Sequence, residues 1–141
     1  MFAMSTYHVL NIMIFLSLNY EKKKVTPKEI ATFCNISVRM VNSLLANLQK
    51  TNLILRSNVN EETCYSLAKP PYDTRLAEIV FPLEPVLFTD YLGKNKKQLP
   101  GNQAWLFYQK FRPFQYTIEK KLKRCRLSEW TVMHESNLYS F

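Results

Sequence analysis

The tetrapeptide Thr26-Pro27-Lys28-Glu29 constrains this chain more than any other feature. A hydroxyl that caps the backbone, a proline at the first helical position and a glutamate three residues after the cap start a helix at a fixed point. That helix must be short, because Asn35 stands where a residue tolerating the left-handed conformation lets the chain turn. Ser37 then caps a second helix, read as running from Val38 to about Thr51. Its stripe Val41, Leu44, Leu45, Leu48 has the i, i+3, i+4, i+7 spacing of one buried face. On a helical wheel Arg39, Ser43, Ala46 and Lys50 lie opposite that stripe, flanked by Asn42 and Asn47. Met40 falls at the edge of the stripe and is read as packing.

Two apolar segments follow, Leu53 to Arg56 and Cys64 to Leu67, joined by the polar stretch Ser57 to Glu62. Their spacing suits a hairpin with a longish loop. A helix pair with a tight turn, followed by a hairpin, is a winged helix-turn-helix. Upstream, Ser5 to Tyr20 reads as a helix with Ser5 as its cap. It is apolar almost all round, which places it within a core or between subunits. Downstream, Thr74 is read as the cap of a short helix from Arg75 to about Phe81, stopped by Pro82. Gly93 to Gln103 reads as a polar loop. The series Phe107, Phe111, Phe114, Ile118, Leu122, Cys125 marks a helix from Ala104 to Arg124, kinked or restarted at Pro113. The fold class is therefore mainly α with a small β-wing, a winged helix-turn-helix plus a long C-terminal helix. Residues 1–85 form the head, 86–103 a linker and 104–141 the C-terminal helix and tail.

Charge narrows the partners. The formal net charge is +8, and residues 86–141 carry ten Lys/Arg against four Asp/Glu, whereas residues 1–85 carry nine against seven. A basic chain favours polyanions, and phosphate neutralisation supplies much of any DNA affinity. The second helix has the width of a major groove, where side chains near its N-terminus meet base edges. Arg39 is suited to guanine and Asn42 to adenine, with Ser43 and Asn47 on the same outer face. Thr26 and Ser37 stand at helix starts, where phosphate binds, and Arg56 and Asn58 are placed to reach the backbone or minor groove.

Other chemistries find little support. Cys34, Cys64 and Cys125 are widely spaced, without the Cys-x-x-Cys pairing of a zinc site or the even count of a disulfide framework. Cys34 and Cys64 read as small buried hydrophobes. Cys125, among Lys123, Arg124 and Arg126, has the electropositive setting of a redox thiol. His8 and His134 lack metal-ligand neighbours, and two glycines in the whole chain leave no phosphate-cradling loop. No metal, cofactor or enzymatic role is expected. The longest apolar run, Val9 to Leu18, falls short of the roughly 20 residues that span a bilayer. With no signal-peptide pattern either, a cytoplasmic location is expected.

The order of these segments resembles the Rrf2 family of winged-helix regulators. The resemblance rests on Thr26-Pro27-Lys28-Glu29-Ile30-Ala31, Ile36-Ser37, Leu44-Leu45-Ala46-Asn47-Leu48, and above all Tyr65-Ser66-Leu67-Ala68-Lys69-Pro70-Pro71 with Leu76-Ala77-Glu78-Ile79-Val80. It continues through Phe111, Phe114, Ile118, Leu122 and Leu127-Ser128-Glu129-Trp130. It implies a homodimer joined through Phe107, Phe111, Phe114, Ile118 and Leu122, packed with the first helix, and a roughly palindromic double-stranded operator. A repressor is the favoured form.

The departures are informative. Many members hold an iron–sulfur cluster on three cysteines just before the long helix, but the corresponding residues 93–105 contain none. The wing has Asn58, Asn60, Glu61 and Glu62 in place of the usual glycines, and its acidic pair repels phosphate. The alternatives are a protein-interaction module that keeps the fold, or a regulator whose DNA binding answers to thiol oxidation or to a small ligand near Trp105.

Overall fold

The computed structural model describes residues 2–84 and 101–132; within 101–111 it describes the backbone and the side chain of Lys110. Three helices, α1 (Met4–Leu18), α2 (Pro27–Cys34) and α3 (Val38–Gln49), precede a hairpin of β1 (Ile54–Val59) and β2 (Glu62–Leu67). A 3-10 turn at Pro71–Asp73 leads to α4 (Leu76–Leu83), and the long helix α5 (Gly101–Arg124) follows. A last helical segment, α6, occupies 127–132.

The even apolarity of α1 is explained by its place in the core. Val9, Ile12 and Met13 are fully buried, Leu10, Ile14 and Leu16 nearly so, leaving only a narrow outer strip that includes Met4, Tyr7 and Asn11. A helix surrounded in this way has no polar face to spare. Ser5 is not its cap. Ala3 holds the N-cap position and supplies no side-chain bond, so the acceptor comes from elsewhere: Glu84 Oε1 accepts from Ala3 N–H and Thr6 Oγ1, both at 2.7 Å. A carboxylate at this helix start also complements the positive end of the helix dipole.

The hairpin is longer and its turn tighter than the polar stretch Ser57 to Glu62 suggests. Strand pairing runs from Ile54↔Leu67 to Val59↔Glu62, leaving a two-residue turn. Asn60 and Glu61 both take positive φ, 52° and 66°, as a turn twisted to match the strands requires. Ser57, Asn58 and Val59 are thus strand residues whose mostly exposed faces give them a loop-like composition. Val25 adds a single rung to the free edge of β2, exchanging two hydrogen bonds with Tyr65.

The C-terminal segment folds back onto the head. Leu76 N–H donates to the Cys125 carbonyl at 3.0 Å, and Leu127 N–H donates to the Thr74 carbonyl at 2.8 Å. Leu127 is fully buried in the same core as Leu16, Ile79 and Val80, with Leu122 and Cys125 packed against it. Thr74 is buried and bonds the Pro70 carbonyl, so it does not cap α4. That place belongs to Arg75, whose N–H donates to Glu78 Oε2 at 2.8 Å. The helix runs one residue past Pro82, to Leu83. Pro113 likewise lies within α5, which is continuous and begins at Gly101, so 101–103 are helical. The rest of the loop, from Gly93 to Pro100, lies outside the described residues.

Candidate nucleic-acid interface

The two helices that carry the site are fixed by their caps. Thr26 Oγ1 accepts from Glu29 N–H at 3.3 Å while Glu29 Oε1 accepts from Thr26 N–H at 3.2 Å, the reciprocal pair of a capping box. Lys23 adds an ion pair to the same carboxylate, and its hydrogen bond holds Glu29 below the usual carboxylate range. Asn35 ends α2 in the left-handed region at φ 55°. Ser37 Oγ then accepts from Met40 N–H at 3.1 Å and starts α3. Thr26 and Ser37 each accept one capping bond, and the Ser37 hydroxyl proton takes no part in the cap.

Burial of Val41, Leu44, Leu45 and Leu48 fixes the rotation of α3 about its axis. It follows that Arg39, Asn42, Ser43, Ala46, Asn47 and Lys50 are exposed together on the opposite side. Met40, read from sequence as packing, is 44% exposed and joins one flank of this face beside Asn47. Its wheel position borders the core stripe without entering it.

The wing meets the other flank. Thr26, Val38, Asn42, Glu62 and Thr63 line one shallow groove between the start of α2, α3 and the first residues of β2, with Lys28 at its rim. Asn58 lies opposite Thr63 in register and accepts from its hydroxyl at 3.5 Å. Arg56 is exposed on the same strand. The structure thus gathers Thr26 and Asn42 in the groove, holds Asn58 beside its lining residue Thr63, and sets Arg39, Ser43 and Asn47 along the adjoining helix face. Sequence reading missed Val38, Lys28 and Thr63. Only Val38 carried a signal, standing one helical turn before Asn42.

Of the apolar series on α5, Phe114 is 68% exposed, Ile118 is half-buried, and Leu122 packs on this chain's own core. The side chains of Trp105, Phe107 and Phe111 lie outside the described residues. Tyr116 is also exposed, with Lys120 Nζ 5.6 Å from its ring centre.

The profile of the Rrf2 family, described as an iron-dependent transcriptional regulator, matches residues 4–131. The chain belongs to the Rrf2 family. Rrf2 proteins are DNA-binding transcriptional regulators, and the winged helix-turn-helix here is that of a regulator of this kind. No curated protein matches the sequence significantly. Among solved structures, CymR of B. subtilis, the global cysteine regulator, superposes with a TM-score of 0.73 at 18% identity, over 94% of this chain and 97% of its own. IscR from T. potens gives 0.72 at 18% identity, over 100% and 91%. Staphylococcus aureus CymR gives 0.68 at 19% identity, over 92% and 96%. These likenesses establish the fold.

Iron would need several thiolate or imidazole ligands around one point. Cys34 ends α2, Cys64 lies in β2 and Cys125 follows α5. Among the described residues no three His, Cys, Asp or Glu side chains come together. Burial pushes the Cys34 thiol up to about 11. Cluster ligation needs several thiolates around one point, and the three cysteines, each at a different element, do not supply that. Cys64 is buried, as its sequence setting suggests, while Cys34 and Cys125 are half-buried beside the core. No helix among the described residues is long and apolar enough to cross a membrane.

Proposed function

We propose that this Rrf2 protein is a homodimeric repressor that works in the cytoplasm without an iron–sulfur cluster. Each α3 enters a major groove of a roughly palindromic operator. The observation that carries this reading is the rotation of α3, fixed by four buried side chains so that Arg39, Asn42 and Ser43 project together. Arg39 is assigned to guanine O6/N7 and Asn42 to adenine N6/N7. Ser37, Ser43 and Asn47 serve phosphate or adjoining bases, and Thr26 stands at the start of α2 where the backbone passes. Arg56 and Asn58 supply the wing's contacts, since the acidic turn beyond them repels phosphate.

Residues 1–85 act as the reading head and the long helix α5 as the dimerisation segment, with the stretch around Leu127 and Thr131 packed back on the head. Phe114, exposed on α5 with Tyr116 nearby in sequence, supports a seam with a second copy that also takes Phe107, Phe111 and Ile118. Leu122 contributes by bracing α5 on its own head. No enzymatic role is assigned.

The test is to select bound DNA from a random pool and to weigh the resulting complex by light scattering. Two chains on one site with inverted half-sites support the reading. Phe114→Glu is expected to give a folded monomer with weakened site binding. Wild-type monomer on a single half-site would contradict the dimer.

A further inference from the structure

The groove between α3 and the wing has a mixed chemistry that the polar readout of Arg39 and Asn42 does not use. Val38, at the first position of α3, is an aliphatic side chain 38% exposed to solvent, and with Pro27 it forms the apolar side of the groove. Asn42 follows one helical turn later and lines the same groove, as does Thr63. Residues four apart on a helix are neighbours, so an amide and an aliphatic group stand side by side at the N-terminal end of the recognition helix. Part of this β-branched side chain packs within the protein, and the remainder is an apolar surface open at the groove, free to be covered by an apolar group of a bound partner.

The DNA major groove offers one apolar group among its hydrogen-bonding edges, the 5-methyl of thymine. An amide beside an aliphatic side chain matches an A·T-containing step, since adenine presents N6 and N7 to the amide and thymine presents its methyl to the alkyl group. We propose that Val38 is a specificity-determining residue that packs on the 5-methyl of a thymine adjoining the adenine held by Asn42. Cytosine at that place offers no methyl, so the site selects thymine by apolar contact. The proposal rests on the DNA-binding reading above and adds a base and an atom to it.

The experiment uses the full chain. Sites are selected from a random DNA pool, and the best site is remade with each thymine in turn replaced by deoxyuridine, which removes only the methyl. Binding is measured by fluorescence anisotropy for wild type and for Val38→Ala, with circular dichroism to confirm folding and Val38→Thr as a near-isosteric second variant. One thymine per half-site is expected at which deoxyuridine weakens wild-type binding about fourfold, the value of one buried methyl. At that thymine Val38→Ala is expected to bind the two DNAs equally. A wild type indifferent to every deoxyuridine, or a Val38→Ala protein with an undiminished penalty, overturns the proposal while sequence-selective binding stands. A chain that selects no sequence at all overturns the DNA-binding reading with it.

Discussion

The hydroxyls of Thr131 and Ser17 lie 2.7 Å apart in the interior, joining the last described helical segment to the first helix across 114 residues of sequence. Both residues are only 8% exposed, and Thr131 Oγ1 also bonds the Leu127 carbonyl at 3.0 Å. The pair marks where the C-terminal segment locks onto the head, one helical turn from fully buried Leu127. Thr131 keeps the Leu127 carbonyl when Ser17 is removed, whereas removing Thr131 leaves the buried Ser17 hydroxyl without its partner, at a cost of about 1–3 kcal/mol. Thr131→Val is therefore expected to destabilise the protein by about that much in urea unfolding, and Ser17→Ala by less. The double variant Ser17→Ala/Thr131→Val should cost less than the two single changes together, because neither hydroxyl is then orphaned. Additive losses would show that the two groups do not interact.

The wing turn carries a local conflict. Glu61 sits at φ 66°, where a side chain crowds the backbone, and Glu62 adds a second negative charge beside it. Glu61→Gly creates the Asn-Gly pair this turn favours and relieves about 1 kcal/mol of backbone strain. A higher urea midpoint is expected. The same change removes a negative charge from the wing tip, so DNA binding should tighten at low salt. Unchanged stability would mean that the turn is relaxed around Glu61.

Acid should undo the start of α2. The hydrogen bond from Lys23 is the foremost cause that lowers the Glu29 carboxyl, with Thr26 N–H adding to it. A carboxyl lowered by folding contributes stability that is fully present above its unfolded value of about 4.3 and is lost as pH falls through its folded value. Glu78 shifts in the same direction: burial works to raise it, but the bonds from Lys69 and Arg75 N–H outweigh that effect. Stability is thus expected to fall below about pH 4. Glu29→Gln keeps an acceptor for Thr26 but cannot titrate, so its urea midpoint should fall less steeply with acid. Parallel pH curves for the two proteins would count against a titrating role for Glu29.

What could be read from sequence was what depends on near neighbours. The Thr26–Glu29 box, the left-handed Asn35, the Ser37 cap and the stripe from Val41 to Leu48 are all set within a few residues, and the structure reproduces each. Distant partners were invisible. Ser5 looks like a cap because serine favours that place, yet the start of α1 is served by Glu84 from 78 to 81 residues away. Ser57 to Glu62 looks like a loop because an exposed strand carries the same polar residues, and no glycine advertises the turn at Asn60 and Glu61. At the site, the outer face of α3 was legible because it is the complement of its apolar stripe. The groove with Thr63 was not, since it depends on how the wing packs against the start of α2.

The most direct measurement is the affinity of Arg39→Ala and Asn42→Ala proteins for the site that wild type selects from random DNA, at several salt concentrations. Each lost base contact is worth about 1–3 kcal/mol, so each variant is expected to bind the selected site roughly 5- to 150-fold more weakly. Binding to unrelated DNA, set mainly by phosphates, should change little for Asn42→Ala, and both variants should keep the wild-type helical signal and oligomeric state. Undiminished binding of the selected site by both variants would show that α3 does not read the DNA.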